Sequence, residues 1–314
     1  MRTISKNKSS GRSSRIKMRE QLAGYGFMLP GFLFIAIYMG YPLIDSLYLS
    51  FMKFNYNTDT NPVFCGLKNY LHVFQDSYFT DAFRNTMIFA VAFFPIVMVI
   101  SLILALLINH EVKGSGLFRT CIFLPVVVPL SLTGIIFQWI LNNQYGLFNY
   151  FLKCIGMGWA AKDWLGNGKW AMVSIIVVSL WKNIGLLVIM FMAGLQAISN
   201  DIIEASKVDG ANVLQRIFYV ILPNLRGTFI VCGLWAILQA IKVFEQPFVM
   251  TNGGPGTATL VLYQYTWINA FQYFDMGYAS AIAYIMTILI LVLIGINNYL
   301  NRNKNGEGLE QDEG

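Results

Sequence analysis

The chain has 314 residues, 56% hydrophobic and only 12% charged, with a formal net charge of +6 and a mean hydropathy of +0.56. A soluble globular chain is about one quarter charged, so the composition argues against one and for a membrane protein. The positive charge does not point to nucleic acid, because the basic cluster precedes a hydrophobic run and lacks interleaved aromatic residues that could stack on bases.

Six apolar runs follow in chain order, near residues 25–51, 85–109, 119–141, 170–195, 226–250 and 278–300. Each is long enough to cross about 30 Å of hydrocarbon as a helix rising about 1.5 Å per residue. The expected fold class is therefore all-α, a polytopic membrane protein with six transmembrane helices. The expected division is a basic tail over 1–24, a six-span domain over 25–300 and an acidic tail over 301–314. The first run, from Phe27-Met28-Leu29-Pro30 to Phe51, is too long for a cleaved signal peptide and lacks a small-x-small site after its core, so it reads as a retained anchor.

Orientation follows from lysine and arginine, which accumulate on cytoplasmic flanks. The tail ahead of the first run carries Arg2, Lys6, Lys8, Arg12, Arg15, Lys17 and Arg19. With that tail inside, the segments 110–118 and 196–225 and the C-terminus are also cytoplasmic, and they hold Lys113, Lys207, Arg216, Arg302 and Lys304. The outer segment 251–277 has neither residue type, whereas the outer segments 52–84 and 142–169 hold Lys53, Lys68, Arg84, Lys153, Lys162 and Lys169. The bias is clear in total and weaker in detail. It places a multi-pass protein in the cell membrane, plasma or inner, with both termini cytoplasmic.

Catalytic and metal chemistry find little support. Cys65, Cys121, Cys154 and Cys232 have no metal-ligand spacing, although Cys65 and Cys154 could meet on the outer side. His72 and His110 are the only histidines, and neither has a nearby ligand or nucleophile in sequence. No metal, cofactor or catalytic triad is expected. No phosphate-binding G-x-x-x-x-G-K-[ST] loop occurs, and the nearest text, Gly166-Asn167-Gly168-Lys169-Trp170, lacks both spacing and hydroxyl. If the chain serves an ATP-driven machine, hydrolysis takes place on another subunit.

Between the fourth and fifth runs, residues 204–223 form a polar, helix-forming stretch. Asp201, with Glu204 three residues on, fits the cap of a first helix, and Gly210 permits the left-handed residue that ends it. Asn212 with Gln215 fits a reciprocal cap of a second helix, which Pro223 is expected to stop. A helix-turn-helix knuckle results, spanning a loop over 199–223.

These residues resemble the EAA motif of permease subunits of binding-protein-dependent ABC importers, here Glu204-Ala205-Ser206, Gly210 and Leu222-Pro223, with serine in the third position where alanine is usual. Asp209-Gly210-Ala211, Phe218 and Ile221 look like the carbohydrate branch of that family. Downstream, Phe244-Glu245-Gln246-Pro247-Phe248, Thr251-Asn252-Gly253-Gly254-Pro255-Gly256 and Gly277-Tyr278-Ala279-Ser280-Ala281 are similar to sugar-importer permeases of the maltose and glycerol-phosphate type. The combined resemblance covers roughly residues 80–300. It implies a permease that forms half of a pore, with a second homologous permease, two ATP-binding subunits and an extracytoplasmic solute-binding protein as partners. It also implies that Glu204, Ala205, Ser206, Asp209, Gly210 and Ala211 couple to the ATPase, Glu204 as a polar contact, Asp209 as a helix-end or docking contact, and Gly210 as the bend allowing close approach.

Charged groups inside a span cost about 2.5–3.5 kcal/mol each at its centre on insertion scales, so they need partners or water. Lys182, Lys242 and Glu245 are the cases. Lys242 and Glu245, three apart, can pair on one helix face, or Gln239, Lys242 and Glu245 can line a wet translocation path. Trp139, Trp159, Trp164, Trp170 and Trp267 lie near expected span ends, as interfacial belts do. Trp181 and Trp235 lie deeper, where stacking on a sugar ring competes with packing against a neighbouring helix. An alternative class is an ion-gradient-driven secondary transporter, but no clear repeat relates 25–141 to 170–300, and Glu245 is the only acid well inside a span.

Overall fold

The computed structural model describes residues 10–109 and 115–302. Arg2, Lys6, Lys8, His110, Lys113, Lys304 and the acidic residues from Glu307 onward lie outside the described residues. Among the described residues, five helices are long and apolar enough to cross a membrane: Gly24–Ser50, Ser77–Asn109, Gly168–Gln196, Arg226–Thr251 and Met276–Tyr299. The pair Gly116–Val127 and Leu130–Ile140, whose halves meet at 101°, makes a sixth candidate when the two are counted as one broken span, the third in chain order. Among the described residues the only sheet is a two-residue antiparallel pair, Met52–Lys53 with Val63–Phe64. The chain is all-α because runs of leucine, isoleucine, valine and phenylalanine can enter hydrocarbon only with every backbone group bonded within its own segment.

Three expected spans differ from the observed ones. The second helix starts at Ser77, not near residue 85, so its first turns extend beyond the apolar run. The third is broken rather than continuous, because Pro129 takes an extended conformation (φ −57°, ψ 141°) and starts a new helix at Leu130. The fifth is interrupted at Lys242, Val243 and Phe244 and resumes at Glu245. Helix also begins at Ser10, ahead of the first apolar run.

The second and fourth spans form the packing centre, with Phe89, Phe93, Val97 and Ala105 buried alongside Ile175, Leu187, Val188 and Phe191. The Ser101 hydroxyl donates to the Ile184 carbonyl across that contact at 3.3 Å. The first span contrasts with this centre. Only its second half, Tyr41–Ser50, lies against the sixth span, where Tyr284 Oη donates to the Leu43 carbonyl at 2.5 Å. Its first half turns Phe27, Met28, Phe32 and Phe34 outward, a surface suited to hydrocarbon.

At the end opposite the knuckle, the loop after Thr251 is tied down by the second helix. Asn85 Nδ2 donates to the carbonyls of Thr257 (2.6 Å) and Leu260 (2.9 Å), the Leu262 N–H donates to Thr86 Oγ1 (2.9 Å), and Thr257 Oγ1 donates to Asp81 Oδ2 (2.6 Å). The polar residues at the start of this helix thus account for its extension beyond the apolar run. Cys65 and Cys154 are both free thiols, so the two do not pair.

Asp76, just ahead of the second helix, gathers three elements. Its Oδ2 accepts hydrogen bonds from Tyr265 Oη and from Tyr278 Oη (2.6 Å), and its Oδ1 accepts from the Tyr78 N–H (2.9 Å). The ring of His72 lies edge-on to Tyr278 with centroids 4.9 Å apart. Burial alone would push the Asp76 carboxyl up, but the hydrogen bonds from both tyrosines and from the Tyr78 and Phe79 N–H groups outweigh it and hold it below its ordinary value. A depressed carboxyl stabilises the fold at pH values above the unfolded value of about 3.9, and this contribution is lost as pH falls through the lower folded value. Asp76→Asn is expected to cost about 1–2 kcal/mol at pH 7, seen as a lower thermal unfolding midpoint in detergent, with the deficit against the parent narrowing as pH drops below about 4. An equal deficit at pH 7 and pH 3 would contradict this assignment.

Candidate functional site

The knuckle is built from local capping. Its first helix spans Asn200–Val208 and is capped by Ser199, whose hydroxyl accepts from the Asp201 N–H at 3.2 Å. The expected cap, Asp201, instead sits in the first turn. There its carboxylate faces the positive end of the helix dipole, while Lys207 occupies the last turn. Gly210 takes φ +77°, and the Ala211 N–H bonds back to the Ser206 carbonyl at 3.0 Å, closing the helix end. The second helix begins with the expected reciprocal cap: Gln215 N–H donates to Asn212 Oδ1 (2.8 Å) and Asn212 N–H donates to Gln215 Oε1 (2.9 Å).

Pro223 does not stop that helix. The turn before it, Ile217–Ile221, widens to i→i+5 bonding, and helix continues through Leu222–Asn224. The wider turn bonds the Leu222 N–H to Ile217, and proline then sits where a missing N–H is tolerated. Only Leu225, fully buried, separates this stretch from the fifth span at Arg226.

Glu204, Ala205, Asp209 and Gly210 are exposed on the knuckle, Ala211 is half-buried, and Ser206 is buried. Ser206 Oγ donates to the Ile203 carbonyl at 2.7 Å, so the third position of the motif faces inward, where a small side chain fits. Sequence reasoning missed the exposed apolar side chains of the knuckle. Val208, Leu214, Phe218 and Tyr219 are all exposed, Val208 at 87%. The available signal was the four-residue spacing of Leu214 and Phe218 beside a polar stretch.

A second constellation lies between the spans. Gln239, Lys242 and Glu245 line one small cleft together with Ser179, Asn183 and Gln246, walled by Phe89, Phe93, Leu130 and Val243. Its volume of about 20 Å³ suits a single water molecule. Because helix stops at Lys242 and restarts at Glu245, these two do not share a helix face as expected. Trp181 packs edge-on against Phe137 at 5.2 Å, and Trp235 packs against the main core; neither lines the cleft. Among the interfacial tryptophans, Trp164 donates to Asn149 Oδ1 at 2.8 Å, Trp170 carries Lys162 Nζ 3.6 Å from its ring centroid, and Trp267 joins Phe244, Phe248 and Phe271. Lys182, whose role sequence left open, donates from Nζ to the carbonyls of Pro125, Val126 and Val128 at the break in the third span. Among the described residues no group of three or more His, Cys, Asp or Glu is placed to hold a metal ion.

Residues 98–305 match the family described as the inner membrane component of binding-protein-dependent transport systems. The chain belongs to that family. It is 32% identical over 88% of its length to a probable ABC transporter permease, YurN, of Bacillus subtilis, covering 94% of that protein. It is 30% identical over 89% of its length to the trehalose/maltose transport system permease MalF of Thermococcus litoralis, covering 93% of it. Its fold matches a chain of a bacterial alginate ABC transporter, solved with a periplasmic protein bound to an alginate pentasaccharide, at a TM-score of 0.80 and 22% identity. The match covers 91% of this chain and 96% of that one. This permease is therefore a multi-pass inner-membrane component of a binding-protein-dependent importer. It is not an enzyme, since ATP hydrolysis belongs to a separate subunit, and not an ion-gradient-driven carrier.

The permease's knuckle depends on backbone conformation at one position. A Cβ at Gly210 would meet no atom within 4 Å, so the penalty for a side chain there comes from φ +77° alone. Gly210→Val is expected to destabilise the turn by about 1–3 kcal/mol and to abolish transport without preventing membrane insertion. Gly210→Asn, which tolerates the left-handed region, keeps most of it. Transport assays on both variants at matched membrane levels check the contrast.

Proposed function

We propose that this chain is the permease of an ATP-driven carbohydrate importer and supplies half of its translocation pore. The observation that carries the coupling part is the knuckle itself: two short, capped helices joined through Gly210, with Glu204 and Asp209 exposed and Val208, Leu214, Phe218 and Tyr219 exposed on the same segment. Exposed apolar side chains beside exposed carboxylates suit a docking surface for a soluble partner. That partner is an ATP-binding subunit, present twice, beside a second homologous permease and an extracytoplasmic solute-binding protein. The sugar class rests on the relative named for trehalose and maltose and on the alginate transporter.

In this reading the basic tail 1–24, the loop 199–223 and the acidic tail 301–314 face the cytoplasm, and 25–300 is the membrane domain. ATP-driven closure of the ATPase pair moves the knuckle as a rigid unit. The motion passes into the fifth span, whose interruption at Lys242 to Phe244 borders the cleft. Gln239, Lys242 and Glu245 offer sugar hydroxyls donors and acceptors along the path, and Trp181 and Trp235 are the aromatic candidates nearby.

Two experiments test this reading. Purification of the tagged chain from membranes is expected to bring down a P-loop ATPase that Glu204→Arg loses; recovery of the ATPase in both would defeat the docking role. Gln239→Leu is expected to keep that ATPase and to lower uptake from a panel of labelled mono- and disaccharides by about tenfold, the equivalent of one hydrogen bond to a charged or strongly polar partner. Unchanged uptake across the panel would remove Gln239 from the path.

A further inference from the structure

The third span ends its first half at exposed Val127, two residues after buried Pro125, and turns by 101° before Leu130. Helix bonding stops there, which leaves carbonyl oxygens with no intrahelical donor. At membrane depth, non-helical backbone is tolerated only when protein or a wet cavity supplies the missing partners. The partner comes from the middle of the fourth span. Lys182 is 8% exposed, and its Nζ donates to the carbonyls of Pro125 (2.7 Å), Val126 (2.9 Å) and Val128. An ammonium has three N–H donors, and all three are used. Its positive charge also faces the negative end of the half-helix. One turn away, Gly185 lets the Ile122 carbonyl come so close that a Cβ there would lie 2.4 Å from it. The fourth span thus holds the first half at two points.

What leaves the elbow is functionally placed. The second half starts at Leu130, a wall of the cleft that Gln239 and Glu245 line, and packs on the helix Glu245–Thr251. We infer that Lys182 is a positioning residue for transport: its ammonium fixes the elbow of the third span and so sets where the Leu130 half-helix meets the cleft. The inference rests on the cleft being part of the translocation path. A lysine kept only for packing would be replaced by methionine, of similar length, without moving the elbow. A lysine that answers three carbonyls would not be, because methionine has no N–H to donate.

The test reads elbow geometry and coupling separately, in the assembled importer reconstituted into lipid nanodiscs. Cys121 is exposed on the first half and serves as one spin-label site; Ile136→Cys on the second half provides the other, with Cys65 and Cys154 changed to serine and buried Cys232 retained. The parent is expected to give one narrow distance distribution. K182M is expected to broaden it and to lower the ATPase rate stimulated by the solute-binding protein at least about tenfold, as the loss of a charged hydrogen bond predicts. K182R, which keeps charge and donors, is expected to retain the narrow distribution and most of the stimulation. An unchanged distribution in K182M overturns the elbow assignment, and a broadened one with parental stimulation overturns the positioning role. If K182M does not assemble with its ATPase, the same two readings on K182Q decide in the same way. Failure of the path reading is distinguishable, because it appears as unchanged uptake in Q239L while the elbow distance still answers to Lys182.

Discussion

A helix that stops at membrane depth must hand its terminal carbonyls to some other donor, and this requirement shapes the middle of the bundle. The third span meets it by borrowing Lys182 from the fourth. The cost of burying an ammonium is offset only where its hydrogen bonds are complete, so the lysine and the break depend on each other. Neither feature would be stable alone. The fourth span can carry this charge because it is the most enclosed of the long helices, with 61% of its apolar window buried, against none of the first span's.

The same span links the two candidate regions, knuckle and cleft. At its interior, Ser179 and Asn183 line the polar cleft on either side of Lys182. At its end, Gln196 leads through Ala197 and Ile198 to Ser199, the cap of the knuckle. From the knuckle, helix runs through Ile217–Ile221 and Leu222–Asn224 into the fifth span with a break only at Leu225. The knuckle is therefore held between two spans that both reach the cleft. A displacement at Glu204 has short, nearly continuous helix on each side through which to act, and the capped ends keep the knuckle itself from absorbing it.

Hydropathy made most of this fold legible, because a run of apolar residues long enough to cross a bilayer has few other stable states. The reciprocal cap at Asn212 and Gln215 and the left-handed Gly210 were readable for a similar reason, as both depend on residues within a few positions. The breaks were harder. Pro129 and the interruption at Lys242 lie inside apolar runs, and hydropathy averages across them. Pro223 misled in the opposite direction, since a widened turn upstream let the helix pass a proline. Lys182 was visible as an anomaly but not as a clamp, because its three acceptors are more than fifty residues away in sequence. The cap at Ser199 rather than Asp201 is a shift of two residues, within the usual fraying of helix ends.

Two lysines of the bundle show how context separates structure from function. Lys182 and Lys242 each follow the end of a helical segment in space, the first at the C-terminus of a neighbouring half-helix and the second as the C-cap of its own. Lys182 is buried with every donor engaged. Lys242 is exposed on the cleft, and its side chain has no hydrogen bond or ion pair among the described residues, Glu245 included. A cation at a helix C-terminus is favoured by the dipole in both places, but only the second leaves its N–H groups free. On the proposed reading, that asymmetry is what a path requires: one ammonium spent on holding the wall in place, and another left available to hydroxyl oxygens that pass and must also depart.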